Sequence, residues 1–296
     1  MKTALITGAT GGIGLETARQ LAQQRYRLIL TGRDAAKGQA VAESLKQQTG
    51  NDGISFVRAD MARMADVQTL AETVRQRFDR LDALINNAGF LAAGRETSPD
   101  GFEMNFAVNT LAPTLLIELL LPLLGQTPGA RVVNLLTGNH RMVNRRVLDD
   151  YPSETQYRGM DAYGRTKLYN LMMLYRLAER HPEVSFFAAD PGPNDTDMLR
   201  KATGSPEGWP FAMRLLMPIL MPFFRMAMRR KPIAEGAKST VYAATSPDLN
   251  GRTGLYVSPS ANVVRSLALS YDKALQQRTD VYVSRLLQPY LPVKTM

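Results

Sequence analysis

Tyr163 and Lys167 stand four apart in YGRTK (163–167). The apolar pattern around them predicts a helix near 160–180, so the two side chains share one face. A phenol titrates near about 10 and is a poor base at neutral pH. A lysine ammonium one turn away favours its ionised form by charge. Such a pair can exchange a proton with an alcohol or carbonyl oxygen. Its meaning depends on what the rest of the chain builds beside it. A second candidate is Thr137, in RVVNLLTGNH (131–140), where an apolar run stops abruptly in a turn. Its hydroxyl either fills that turn or faces a reacting oxygen.

The chain begins with an apolar run followed at once by TGATGGIG (7–14). Gly8 permits a tight turn, Gly12 lets the backbone approach a pyrophosphate, and Gly14 lets helix and strand pack closely. Thr10 and Ile13 belong to the same turn. The helix N-terminus that follows offers free N–H groups and a partial positive charge to phosphates. The turn therefore reads as a dinucleotide site. Its spacing fits both TGxxxGxG (Gly8, Gly12, Gly14) and TGxxGxxG (Gly8, Gly11, Gly14). After the second apolar run comes TGRD (31–34). An NAD site places an acid here to accept from the ribose 2′-OH, whereas a 2′-phosphate requires a cation. Gly32 and Arg33 favour NADP, while Asp34 could be recruited for NAD. An oxidised nicotinamide beside Tyr163 would add to the charge that favours the phenolate.

Composition narrows the alternatives. There are 296 residues, 45% hydrophobic, with no cysteine and two histidines, His140 and His181. Disulfides and thiolate metal sites are excluded, and no metal site is expected. A reducing, cytoplasmic setting fits, and the opening run is too short for a signal-peptide core. No stretch reaches the roughly 18 apolar residues of a membrane span. The net charge of +9 reads as solubility. The basic residues are not interleaved with aromatics as on a nucleic-acid surface, so no nucleic-acid partner is expected. They cluster at Arg141/Arg145/Arg146 and at Arg225/Arg229/Arg230/Lys231.

Short apolar runs at 3–7, 26–31, 54–59, 81–86, 130–136 and 184–190 alternate with helical patterns near 13–24, 35–48, 64–78, 102–124 and 160–180. This alternation implies an α/β fold whose parallel sheet has helices on both faces. The runs are apolar throughout, as strands covered on both sides should be. No linker or repeat divides the chain, so residues 1–296 are expected to form a single domain. Ligands bind beyond the carboxyl ends of the strands in such sheets. Thr7-Gly8, Gly32-Arg33, Asp60, Asn86-Asn87, Thr137 and Asp190-Pro191 all fall there.

Together TGATGGIG (7–14), Asp60, NNAG (86–89), Asn109, Tyr163-xxx-Lys167 and DPGPNDT (190–196) resemble the short-chain dehydrogenase/reductase family over nearly the whole chain. NNAG belongs to the family's compact branch, which selects the TGxxxGxG reading. The segment 232–259 resembles retinol-dehydrogenase and protochlorophyllide-reductase-like members. The resemblance implies a Rossmann-type doubly wound sheet and an NAD(P) cofactor held by Gly8, Thr10, Gly12, Ile13, Gly14, Arg33, Asp60, Met61, Asn87, Ala88, Gly89, Tyr163, Lys167, Pro191, Gly192 and Thr196. Asp60 would bind adenine, Asn87 would line the cleft, and Thr196 would touch the nicotinamide or pyrophosphate side. Tyr163 would be the acid/base, with Lys167 lowering its pKa and holding the nicotinamide ribose.

Asn109 precedes Pro113 by four residues on the long helix. Proline has no N–H, so the Asn109 carbonyl loses its helical partner. The resemblance implies that this carbonyl binds a water in a relay ending at Lys167. Two departures stand out. The family's Ser-Ser pair is Leu136-Thr137 here. Counting back from His140 puts Thr137 on the catalytic serine, whereas counting back from Tyr163 gives Gly138. Asp190-Pro191-Gly192-Pro193 replaces the His-Pro-Gly-Val common in relatives.

Residues 209–232 lie where the family places a substrate lid, expected near 195–232. Pro210, Pro218 and Pro222 argue against one continuous helix. Met213, Met217, Met221, Met226 and Met228 offer adaptable apolar surface. That surface suits a lipophilic substrate, core packing, a contact between subunits of a homo-oligomer, or peripheral membrane contact through the flanking basic residues. The expected function is NADP-dependent hydride transfer to or from a lipophilic aldehyde, ketone or alcohol. The alternative is a non-catalytic cofactor-binding sensor or scaffold.

Overall fold

The computed structural model describes residues 1–92, 94–138, 140, 143, 157–192 and 233–292. Thr196, the expected lid at 209–232 and the arginines of both basic clusters lie outside the described residues. One eight-stranded sheet runs through the described chain in the order β3-β2-β1-β4-β5-β6-β7-β8. Its strands are β1 Thr3–Ile6, β2 Arg27–Gly32, β3 Ile54–Arg58, β4 Ala83–Asn86, β5 Arg131–Leu135, β6 Ser185–Ala189, β7 Leu255–Val257 and β8 Val263–Val264. All neighbours are parallel except β7 and β8, which pair antiparallel.

The helices are α1 Gly12–Gln23, α2 Ala35–Thr49, α3 Met64–Arg77, α4 Met104–Phe106, α5 Ala112–Gly125, α6 Gly159–Arg180, α7 Ile233–Thr245 and α8 Lys273–Leu287. They divide between the two faces because strand side chains alternate. Leu5, Leu84, Val132 and Phe186 point into a core with α3, α5, α6 and α8. Ile6, Ile85, Val133 and Phe187, their immediate neighbours, point into a second core with α1, α2 and α7. Both faces are therefore dry, which explains the unbroken apolar runs.

The long helix expected at 102–124 is interrupted. Ala107–Leu111 forms a π-helical turn between α4 and α5, in which the Ala112 N–H bonds five residues back to the Ala107 carbonyl. Pro113 cannot donate, so an ordinary helical ladder across Asn109 is unavailable. The stretch Met104–Gly125 is long and apolar enough to cross a membrane, yet 83% of its most apolar window is buried. It is a core helix of this fold. The sheet order reverses between β1 and β4, which opens a crevice at their carboxyl ends.

Candidate active site

The glycine turn sits in that crevice, locked to the segment after β4. Thr7 Oγ1 accepts the backbone N–H groups of Asn87 and Ala88, both at 3.0 Å. Asn87 Nδ2 donates to the carbonyls of Thr7 at 2.8 Å and Gly8 at 3.0 Å. This contact decides which glycines are required. Gly8 has φ 64° and Gly12 φ 54°, backbone that side chains rarely adopt. A β-carbon on Gly14 would lie 2.3 Å from Asn87 Nδ2 and 2.5 Å from the Gly8 carbonyl oxygen. Gly11 is extended, and a β-carbon there meets nothing within 4 Å. The geometry is that of the TGxxxGxG reading. Gly14→Ala is therefore expected to destabilise the protein by about 1–3 kcal/mol through overpacking. Gly11→Ala should change stability by less than about 0.5 kcal/mol. Urea denaturation of the two variants checks the contrast, and equal midpoints would refute it.

No side chain caps the N-terminus of α1, and its first turn carries no acid. The first amides of α1 thus face the crevice free of a competing carboxylate. In contrast, α2 is capped by Asp34, whose Oδ1 accepts the Lys37 N–H at 3.0 Å. A β-carbon on Gly32 would meet Thr10 Cγ2 at 2.9 Å. The Thr10 side chain thus fills the place of an acid at the end of β2. Arg33 is exposed and pairs with no described residue. Asp60 lies just beyond β3, its Oδ1 accepting the Ala62 N–H at 3.0 Å, and Met61 beside it is buried. Ile13 and Ala88 are half-buried, and Gly89 is exposed. A cradle of this kind fits a phosphate-bearing dinucleotide.

Tyr163 and Lys167 are both buried on α6. Lys167 Nζ lies 5.8 Å from the Tyr163 ring centroid and donates to the Leu135 carbonyl at 2.9 Å. That bond ties α6 to the exit of β5, two residues before Thr137. Thr137 is half-buried, and its carbonyl accepts the His140 N–H at 3.3 Å, with His140 Nδ1 at 2.6 Å. Burial pulls the Lys167 ammonium down to about 8. Burial, and after it the negative charge of Asp190, push the Tyr163 hydroxyl above its ordinary value. An oxidised nicotinamide bound beside the pair would add positive charge that favours the phenolate.

The sequence reading missed what Asn109 does. Its side chain clamps the residue after NNAG: Oδ1 accepts the Phe90 N–H at 2.9 Å and Nδ2 donates to the Phe90 carbonyl at 2.8 Å. The carbonyl that Pro113 frees, expected to bind a relay water, accepts Asn170 Nδ2 at 2.7 Å. Asn170 Oδ1 in turn accepts Asn134 Nδ2, and Asn134 Oδ1 accepts Asn86 Nδ2, each at 2.8 Å. A buried amide chain thus runs from β4 through β5 and α6 to the π-helical turn. Asn134 and Asn170 were legible only as polar residues on otherwise apolar faces. Asp190 follows β6, and its carboxylate accepts the Gly192 N–H and the Tyr256 hydroxyl. Pro191 and Gly192 are half-buried, and Gly192, at φ 72°, packs against Pro259. Among the described residues no cluster of His, Asp and Glu could hold a metal.

A doubly wound sheet, a glycine turn at its switch point and a buried Tyr-Lys pair on the same edge define a nucleotide-dependent dehydrogenase. The short chain dehydrogenase model matches residues 2–148, and the chain belongs to the short-chain dehydrogenase/reductase family. It is an oxidoreductase, and the family binds NAD(P). The human polyprenol dehydrogenase is 31% identical, aligned over 94% of this chain and 82% of that protein. Retinol dehydrogenase 12 of Mus musculus is 32% identical over 87% of this chain and 77% of its own. Among solved structures, an uncharacterized protein from Mycobacterium paratuberculosis superposes with TM-score 0.73 at 24% identity, covering 97% of this chain and 94% of that one. A short chain dehydrogenase from Shigella flexneri complexed with NADP gives TM-score 0.66 at 22% identity, covering 88% and 97%.

Proposed function

We propose that the protein is an NADP-dependent oxidoreductase that interconverts a lipophilic alcohol and its aldehyde or ketone, with Tyr163 as acid/base. The observation that carries this reading is the buried Tyr163–Lys167 pair, fastened to the β5 exit through Leu135 and set on the ligand edge of the sheet. Glycines 8, 12 and 14 and the uncapped start of α1 would hold the pyrophosphate, Asp60 and Met61 the adenine side, and Lys167 the nicotinamide ribose. The cofactor, when bound, supplies or accepts hydride. Tyr163 holds or releases the proton at the substrate oxygen, and Thr137 offers that oxygen a second hydroxyl.

A lipophilic substrate is supported by the names of two relatives, one acting on polyprenol and the other on retinol, and by the methionine-rich segment 209–232. Assay of NADPH oxidation and NADP reduction against a panel of polyprenoid and retinoid alcohols and aldehydes tests the reading. Turnover of small polar carbonyls alone would overturn the substrate class.

The preference for NADP rests on three features. Thr10 occupies the place of an acid at Gly32, Asp34 is engaged as a helix cap, and Arg33 is an exposed cation with no partner among the described residues. Loss of one charge-assisted contact is worth about 1.5–3 kcal/mol, or roughly one to two orders of magnitude in affinity. Arg33→Asp is accordingly expected to weaken NADPH binding by about 10–100-fold and to improve NADH relative to it. Fluorescence titration with both cofactors measures this, and an unchanged ratio would assign Arg33 to the turn alone.

A further inference from the structure

Tyr163, Lys167 and Asn170 follow one another at spacings of four and three, so they form one stripe along α6. The first two carry the proposed chemistry. The third reaches two other elements at once. Asn170 Nδ2 donates to the Asn109 carbonyl of the π-helical turn at 2.7 Å, and Asn170 Oδ1 accepts Asn134 Nδ2 of β5 at 2.8 Å. Leu135, whose carbonyl accepts Lys167 Nζ at 2.9 Å, is the next residue of β5. The stripe is therefore fastened to two successive residues of one strand.

The amides are ordered end to end. The Asn109 carbonyl can only accept, so Asn170 must turn Nδ2 to it and Oδ1 to Asn134. Asn134 must then give Nδ2 to Asn170 and Oδ1 to Asn86, which donates at 2.8 Å. Asn86 Oδ1, buried at the other end, meets no partner among the described residues. The order is accordingly set from the Asn109 end, and one backbone carbonyl orients three amides. Asn86 is the most exposed of the four asparagines at 5%, so little water is at hand to replace a broken link. Around the stripe α6 packs through Leu168, Leu171, Met172 and Leu174, all buried. Apolar contact is non-directional and methionine adapts its shape, so this packing does not by itself fix the rotation or height of the helix. Thr166 adds a tie to the π-helical turn, its carbonyl accepting Thr110 Oγ1 at 2.9 Å, but that tie does not reach β5.

We propose that Asn170 is a positioning residue: its amide holds α6 at the height and rotation that keep Lys167 Nζ on the Leu135 carbonyl and Tyr163 on the ligand edge. The inference rests on the Tyr163–Lys167 reading above. Asn170 exchanges no proton itself. It acts through Lys167, whose flexible four-carbon stem is no rigid strut between helix and strand.

Nitrogen-15 labelling of lysine side chains reads the hold directly, with Lys167→Met assigning the signal. A buried ammonium bound to a carbonyl exchanges its hydrogens slowly with water. Asn170→Leu nearly keeps the side-chain volume and deletes both hydrogen bonds. The Lys167 hydrogens are expected to exchange at least about tenfold faster in it at mildly acidic pH. Its kcat should fall by about 10–100-fold, as small misplacements of reacting groups do, while NADPH affinity holds within a few-fold. Leu174→Val trims an apolar side chain one turn further along α6 and should change neither reading. Asn170→Ser, too short to span both partners, is expected to behave like the leucine variant and replaces it if that variant does not fold. Unchanged Lys167 exchange in a folded Asn170 variant would overturn the proposal. So would equal acceleration in Leu174→Val, or faster exchange with kcat kept within a few-fold. Faster exchange in the Asn170 variant of a protein whose wild type turns over nothing upholds the tie and overturns the acid/base reading instead.

Discussion

Tyr163→Phe is expected to lower kcat by about 10²–10⁴-fold, the contribution of a positioned general acid or base, with little change in NADPH affinity. The variant removes one oxygen from a ring packed beside Lys167. The phenyl ring that remains still fills the buried space, so the fold and the cofactor cradle should persist. Tyr163 is buried beside Lys167, and its proposed role is to hand a proton to the substrate oxygen. Steady-state kinetics with titration of NADPH binding checks the expectation. A variant that folds, binds NADPH and retains kcat within a few-fold would show that another group delivers the proton.

Thr137→Val is expected to cost about 10²–10³-fold in kcat, as removal of one oxyanion donor does. Thr137 leaves β5 next to the carbonyl that anchors Lys167, and its own carbonyl fixes His140. The backbone there is pinned from both sides, so the hydroxyl is carried on a rigid support. Valine keeps the branched shape and deletes only the donor. Thr137→Ser should remain active, and loss of the methyl should relax the fit toward larger substrates. Near-wild-type kcat in a folded Thr137→Val enzyme would make the hydroxyl a turn-filler. The same outcome would leave Tyr163 alone, or a second hydroxyl, to act at the substrate oxygen.

The six parallel strands β1–β6 and the helices between them were legible because burial on both sides writes an unbroken apolar run, and the helices write a 3.6-residue period. The last part of the sheet was not. β7 has three residues and β8 two, too short for any period to register. Pairing of β7 with β6 and of β8 with β7 decides them, and the antiparallel run of β8 has no counterpart in the apolar pattern. The π-helical turn at Ala107–Leu111 was half legible: Pro113 announced a broken ladder but not how the chain would close it.

By itself the sequence determined the chemistry-bearing inventory. Glycines at 8, 12 and 14 are demanded by backbone angles and by a contact a β-carbon would fill. Tyr163 and Lys167 share a face through helix geometry alone. The glycine angles and the shared helix face are local properties, set by a few adjacent residues, whereas the demand on Gly14 also comes from Asn87 across the crevice. Which partner each group meets was decided by the tertiary structure. Asp34 became a helix cap, the Asn109 carbonyl went to Asn170, and Asp190 came to accept the Tyr256 hydroxyl. The last two pairs join segments distant in the chain, brought together by strand order and by helix packing. Even the cap depends on where α2 begins. Charge and hydrogen bonding act through space, so the surroundings of the site's tyrosine and lysine were fixed only when helix packing carried Lys167 to the β5 exit.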